Sequence, residues 1–264
     1  MNFKSTALFA AKESGKILLR HFNKKSIAKE KSNKSLVSKA DLEANEIIIK
    51  IIKKNFPRHS ILSEETGFED KKSDYKWVID PLDGTHNFLR GIELFGISIA
   101  LEYKNKVVLG VIHFPIFGFT AIAEKGKGAF LDGKRLSVSN RGKLDHSLMI
   151  FELPYASRKE QIGFLEKFIH KTIDLRNFGS AVWELLLVAC GKCDGIIILS
   201  THEWDIAAGF LIVEEAGGCI TDLHGEKWNP QEEKFVASNG KLHKQILKSL
   251  NNEHSYLKNR KVYK

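Results

Sequence analysis

Residues 77–88 read WVIDPLDGTHNF. The apolar run Trp77-Val78-Ile79 stops abruptly at Asp80, and Asp83 follows three positions later, between Pro81 and Gly84. A short apolar run bounded by turn residues reads as a buried strand, YKWVID, running into a tight turn. Two carboxylates are therefore delivered to the end of a buried strand. Working outward, SILSEE at 60–65 is a second β-like run ending in Glu64 and Glu65. FGISIALEY (95–103) and KVVLGVIHF (106–114) are two long ones separated by Lys104 and Asn105, which predicts a hairpin whose turn has no Gly. Strand-like pieces divided by Gly-rich turns continue through 119–139, including the Asp132-Gly133 pair.

Helical periodicity brackets this β-rich stretch. Phe3, Leu8, Ala11, Leu18, Leu19 and Phe22 predict an amphipathic helix over 3–22. Leu42, Ile48, Ile49, Ile51 and Ile52 predict a second over 41–55, with Pro57 beyond its end. Past residue 150 the pattern alternates: a helix near 158–170, a β-like segment at 173–178, and a helix opened by Gly179-Ser180 and ending near Gly191. GIIIL (195–199) then reads as a buried strand and WDIAAGFLIVEEAGG as a helix ending at Gly217-Gly218. CITDL, FVASN and a last helix at 241–250 complete the chain. This predicts layered α/β (α+β) structure in a single domain over 1–264, with subregions of about 1–150 and 151–250 and a basic tail at 252–264.

Length and composition set the outer bounds. With 264 residues, 43% of them hydrophobic and 28% charged, the chain is long enough to bury a core without crosslinks. Disorder and a disulfide scaffold are excluded, the latter because Cys190, Cys193 and Cys219 are the only cysteines. No apolar run approaches the roughly 18 residues of a spanning helix, and Lys12 and Glu13 interrupt TALFAA before it could serve as a signal peptide, so a cytoplasmic protein with no membrane partner is expected. The net charge of +9 is regional: residues 24–39 carry a net of +5 and residues 241–264 a net of +6, leaving a slightly acidic remainder. A solvated loop and a frayed tail account for that pattern, and nucleic acid is not the expected partner.

The acidic residues at the ends of apolar runs are the chemical signal. Asp80, Asp83, Glu64 and Asp205, the last at the start of an apolar helix, each have an ordinary reading as turn or cap residues. Buried near one another they demand a cation, and oxygen ligands without a His or Cys cluster select Mg²⁺.

WVIDPLDGTHNF resembles the signature of the inositol monophosphatase family, whose wider superfamily includes fructose-1,6-bisphosphatases and nucleotide phosphatases. Three further elements occur in the family's order: SLVSKAD ending at Asp41, SEETG, and EWDIAAGFLIVEEAGG. The resemblance covers nearly the whole chain. It implies an αβαβα sandwich of the sugar-phosphatase type and a Mg²⁺-dependent phosphomonoesterase acting on inositol-1-phosphate-like substrates, with two or three Mg²⁺ per site. Fructose-1,6-bisphosphatase or nucleotide phosphatase activity is the alternative, and an RNA-associated regulatory protein keeping the fold is a third reading. By position, Glu64, Asp80, Asp83, Asp205 and the carbonyl of Leu82 match the metal ligands. Gly84 and Thr85 match the phosphate-binding amides, and Asp83 and Asp205 also border the substrate. Thr85 and Asp41 match a pair orienting the attacking water, with Glu64 the third catalytic position. Gly179, Ser180 and Ala181 match the loop touching the organic part of the substrate. A homodimer and sensitivity to Li⁺ are also implied. One position departs: seven residues before Asp205, where inositol-specific members carry a hydroxyl-gripping Glu, this chain has Ile198, which predicts weak discrimination among phosphomonoesters.

The remaining candidates have plainer readings. Cys190-Gly-Lys-Cys193 is a single CxxC at a helix end, His86 is expected to face solvent, and Trp77, Trp183 and Trp204 read as core or site-wall aromatics.

Overall fold

The computed structural model describes residues 1–24, 29–30, 36–152, 158–228 and 232–251. The basic tail and most of the lysine-rich segment therefore lie outside the described residues.

Helix α1 (Phe3–His21) is followed by two strands of two residues, β1 (Lys29–Glu30) and β2 (Leu36–Val37), paired antiparallel. The lysine-rich segment, expected to be loop throughout, thus contains a minimal β ladder. Helix α2 (Lys39–Asn55) starts two residues earlier than its apolar stripe predicts, because Ser38 caps it and Asp41 returns to the amide of Ser38. Next come β3 (Ser60–Ser63), β4 (Gly67–Glu69), β5 (Tyr75–Asp83) and the short helix α3 (Thr85–Leu89). The β-rich run continues with β6 (Gly96–Tyr103), β7 (Lys106–Phe114), β8 (Phe119–Glu124), β9 (Gly128–Leu131) and β10 (Lys134–Arg135). The second half holds β11 (Leu148–Glu152), α4 (Arg158–Phe168), β12 (Asp174–Arg176), α5 (Ala181–Ala189) and β13 (Gly195–Ile198). It ends with α6 (Glu203–Glu215), β14 (Cys219–Asp222), β15 (Phe235–Ser238) and α7 (His243–Asn251).

Two mixed sheets result. The eight-stranded sheet runs β10-β9-β8-β7-β6-β5-β3-β4, antiparallel except where β3 lies parallel to β5. The five-stranded sheet runs β12-β11-β13-β15-β14, with β11 parallel to both neighbours. Lys104 and Asn105 do form the β6–β7 turn, both in the left-handed region at φ 50° and 58°, so the pair adopts the conformation that a hairpin of matching twist requires without a glycine.

Apolar burial sorts the layers. One core lies between α1, α2 and the large sheet, through Ala7, Leu18, Ile48, Ile52, Trp77 and Ile97. A second surrounds α5 and α6, which pack between the sheets, through Val182, Leu185, Ala208, Ile212, Ile112 and Ile196. A third joins the outer face of the small sheet to α4 and α7, through Phe151, Phe168, Val236 and Ile246. The order is helix, sheet, helix, sheet, helix. Among the described residues no helix is long and apolar enough to cross a membrane.

Candidate active site

Pro81 has no amide to donate to the β5–β6 ladder, and the register shifts between Asp80 and Asp83. In a regular strand, residues three apart point to opposite faces; the bulge re-aims them. As a result Asp80, Asp83 and Asp205 each present a carboxylate oxygen within 4.8 Å of one another. Asp80 and Asp83 are buried at the end of β5, while half-buried Asp205 comes from the first turn of α6. Burial pushes the Asp80 carboxyl well above the usual range, and the neighbouring Glu64, Asp83 and Asp205 push it further. Burial likewise lifts Asp83 to about 8, against the hydrogen bond from Ser180. No Lys or Arg pairs with these three carboxylates among the described residues. His202 Nδ1 stands 3.6 Å from Asp205 Oδ2, a contact that raises the imidazole and leaves Asp80 and Asp83 crowded without a cation, a set that a hard divalent ion fits.

Each member is oriented by backbone. Asp80 Oδ1 accepts the Leu82 amide at 2.9 Å. Asp205 Oδ2 accepts the His202 amide at 2.8 Å and the Thr201 hydroxyl at 3.0 Å. Asp83 accepts the amides of Ala181 and Val182, both at 3.2 Å, and the hydroxyl of Ser180. Glu64 follows β3 with its amide on the Ile79 carbonyl at 3.1 Å, so it lies beside the cluster and raises the Asp80 carboxyl without entering the three-carboxylate group.

The second feature is a hydroxyl–carboxylate pair. The Thr85 hydroxyl, on the first residue of α3, lies 3.3 Å from Asp41 Oδ1 and 3.0 Å from the Leu82 carbonyl. Its single proton serves one of these acceptors at a time. Asp41 is fully buried, and its other oxygen takes the amide and hydroxyl of Ser38 at 2.9 and 2.5 Å. Burial raises the Asp41 carboxyl, with Glu65 adding to the rise. Ser63 donates to Asn45 Oδ1 at 2.7 Å, tying α2 to the end of β3. Gly84 between Asp83 and Thr85 has φ 83°, and a Cβ there would sit 2.9 Å from the Leu94 carbonyl, so only glycine lets the turn close.

Helices α2, α3, α5 and α6 therefore all begin at this place, and the start amides of α2, α5 and α6 are given to Asp41, Asp83 and Asp205. Of the predicted substrate loop, Gly179 is exposed, whereas Ser180 and Ala181 are buried and spend their donors on Asp83.

Two groups escape the sequence reading. Glu184, fully buried in the first turn of α5, accepts the amides of Phe178 and Gly179 at 2.6 and 3.2 Å and faces Glu152 from β11. Burial, then the Glu152 carboxyl, drives Glu184 well above its ordinary range. Asn87 donates to the carbonyls of Leu94 and Phe178, both at 2.8 Å, joining the turn after β5 to the loop before α5. The available signal was an acid inside the otherwise apolar string AVWELLLVA.

The reading of Ile198 needs correction. It is fully buried at the end of β13, within the central apolar core, and pairs in register with Glu152. A side chain with no exposed surface touches no substrate, so this position reads no hydroxyl and its apolarity says nothing of substrate preference. The cysteines behave as expected: burial raises the thiols, Cys193 to about 11, so neither CxxC member is a thiolate. His86 is exposed, and Trp77 is core.

Residues 2–255 match the inositol monophosphatase family. The chain belongs to that family. It is 37% identical over 242 residues to a fructose-1,6-bisphosphatase/inositol-1-monophosphatase of Thermotoga maritima, covering 90% of this chain and 91% of that one. It is 35% identical over 250 residues to the Nus factor SuhB of Pasteurella multocida, covering 92% and 94%. Among solved structures, the extragenic suppressor protein suhB of Bartonella henselae superposes with a TM-score of 0.91 at 32% identity, over 95% of this chain and 99% of that one. Relatives named for phosphatase activity and relatives named as Nus factors are thus similar to this inositol monophosphatase family member to nearly the same extent. Likeness alone supports a phosphatase of this superfamily and does not exclude nucleic acid as a partner, so the expectation against it gains no support.

Proposed function

We propose that the chain is a Mg²⁺-dependent phosphomonoesterase that releases inorganic phosphate from inositol-1-phosphate-like small phosphates. The observation carrying this reading is the meeting of Asp80, Asp83 and Asp205 within 4.8 Å, beside the Thr85–Asp41 pair. Asp80, Asp83 and Asp205, with Glu64 and the Leu82 carbonyl adjoining, would hold the cations. Bound there, Mg²⁺ supplies charge neutralisation for the phosphoryl group and the leaving alkoxide.

The chain's own residues supply the rest. The Gly84 and Thr85 amides take the phosphate oxygens at the start of α3. The Thr85 hydroxyl, backed by Asp41, fixes the position of a water and accepts its proton in relay. Direct attack needs no phosphoenzyme, and most of the acceleration comes from positioning and electrostatics. Gly179 lies where the organic portion of the substrate would emerge. Fructose-1,6-bisphosphate is the second substrate to consider, since the Thermotoga maritima relative carries both activities in its name. A homodimer and inhibition by Li⁺ are part of the same proposal; sedimentation and a Li⁺ titration of the phosphatase activity would test them.

Phosphate release should be followed over a panel of inositol-1-phosphate, fructose-1,6-bisphosphate and a 3′,5′-nucleotide bisphosphate, with and without Mg²⁺. Turnover that disappears on chelation and returns with Mg²⁺ is expected. Full turnover after exhaustive metal removal, or none on any member of the panel with Mg²⁺ present, overturns the reading.

A further inference from the structure

A cavity of about 350 Å³ opens between the β6–β7 hairpin and the C-terminal half of α6, remote from the carboxylates. Asp205 and Glu214 lie nine positions apart on α6, about 13 Å along its axis, so the two sites share a helix and no residue. The size falls in the range of small-molecule sites.

Its apolar and aromatic lining includes Val108, Phe210, Ile220 and Trp228. The indole of Trp228 is fixed by edge contacts with Phe210 at 5.4 Å and Phe235 at 6.3 Å. Its Nε1–H is buried and has no hydrogen-bond acceptor. Of the lining lysines, Lys125 is neutralised by Glu214 at 3.0 Å, whereas Lys106 and Lys227 have no carboxylate partner among the described residues. The lining thus offers an apolar, aromatic slot and two ammonium groups without a carboxylate partner among the described residues.

We propose that this cavity is a second ligand site, taking a small aromatic anion whose ring lies against Trp228 and whose acidic group meets Lys106 and Lys227. The complement is chemical: ring area for the apolar walls and one or two negative charges for the lysines. The site is independent of the phosphatase reading, because no residue in it belongs to the acidic cluster.

The probe is naphthalene-1-sulfonate, a flat anion that a phosphatase cannot hydrolyse. In a ¹H–¹⁵N spectrum the indole resonance assigned by Trp228→Phe should move on titration and saturate at one equivalent per chain. Adding Mg²⁺ and inorganic phosphate should leave that titration unchanged. Lys106→Glu combined with Lys227→Glu should weaken binding at least tenfold, and Val108→Trp, which fills the cavity, should abolish it; the unchanged dispersion of the remaining spectrum controls for folding. The proposal is overturned if the Trp228 resonance stays fixed at millimolar probe. It is equally overturned if phosphate displaces the probe, or if the lysine variants bind it as tightly as the parent.

Discussion

Asp83, on the last residue of β5, accepts the hydroxyl of Ser180, the N-cap of α5, across 97 residues of chain. The same carboxylate takes the first amides of that helix. One side chain thus joins the large sheet to the helix layer between the sheets and stands within the acidic cluster. Any cation held by Asp83 is tied mechanically to the loop at 178–180.

Asp83→Asn keeps the volume and an acceptor for the α5 amides while removing a charge from a buried cluster. Turnover should fall by about 10²-fold or more, since the lost charge acts on the reacting phosphoryl group. Metal-free stability should be unchanged or higher, because the carboxyl that burial drives to about 8 is no longer there to ionise. Thermal unfolding in chelator and in Mg²⁺ checks both halves: Mg²⁺ should stabilise the parent clearly and the variant little. Wild-type turnover in the variant would reduce Asp83 to a cap.

Ser180→Ala removes the hydroxyl from Asp83 and from the Trp183 amide, which it caps at 3.4 Å. Loss of an N-cap typically costs about 1 kcal/mol. The added expectation is a raised requirement for Mg²⁺, because Asp83 loses the contact that aims it. A Mg²⁺ titration of phosphatase activity would show the half-saturating concentration rise severalfold, and an unchanged curve would confine Ser180 to helix capping.

How much of this was legible depended on whether one residue's chemistry could announce its position. Asp80 and Asp83 interrupt an apolar run, where carboxylates are costly, so the sequence points at them directly. Lys104-Asn105 marked the hairpin by the two long runs on either side, although neither residue is the usual glycine. Strand β11 carries no such signal: Leu148–Phe151 is a four-residue apolar run, and a central strand buried on both faces shows no alternation to read. Glu184 does not stand out in the sequence, because an acid in the first turn of a helix is ordinary, and only the fold brings Glu152 and the Phe178 amide to it. At position 198 the apolar run reveals the strand, but whether its last residue faces substrate or core depends on the packing of the sheet, which buries it.

Stability should also depend on pH through Glu102. This residue, 1% exposed on β6, faces Lys76 at 2.9 Å, and Lys76 reaches Glu203 of α6 at 2.6 Å. Burial lifts the Glu102 carboxyl to about 7 despite the ammonium, with Glu203 adding to the rise. Between its ordinary 4.5 and about 7, the folded protein keeps a proton that the unfolded chain has released. Stability from this group is therefore full below about 4.5 and lost as pH rises through about 7, by on the order of 3 kcal/mol. Denaturant unfolding of the chelated protein at pH 5 and pH 8 should show this loss in the parent and a smaller one in Glu102→Gln. Parallel losses in the two proteins would remove Glu102 as its source.

Ile198→Glu separates the buried and exposed readings of that position. Were the side chain at the substrate, a Glu would grip hydroxyls and repel a second phosphate, shifting preference from fructose-1,6-bisphosphate toward inositol-1-phosphate. Here the side chain is fully buried and its register partner is Glu152, so the substitution places a carboxyl in the core beside an existing one. Burying such a group without a partner costs several kcal/mol, and the adjacent acid makes neutralisation the cheaper outcome. The expected result is a marked loss of thermal stability, greater at pH 8 than at pH 5, with the ratio of kcat/KM for the two substrates unchanged within about threefold. Comparing this variant with Ile198→Val, which should cost only about 0.5–1.5 kcal/mol, separates charge burial from lost packing. A stable Glu variant with an altered substrate ratio would mean that β13 ends nearer the active site than its burial indicates.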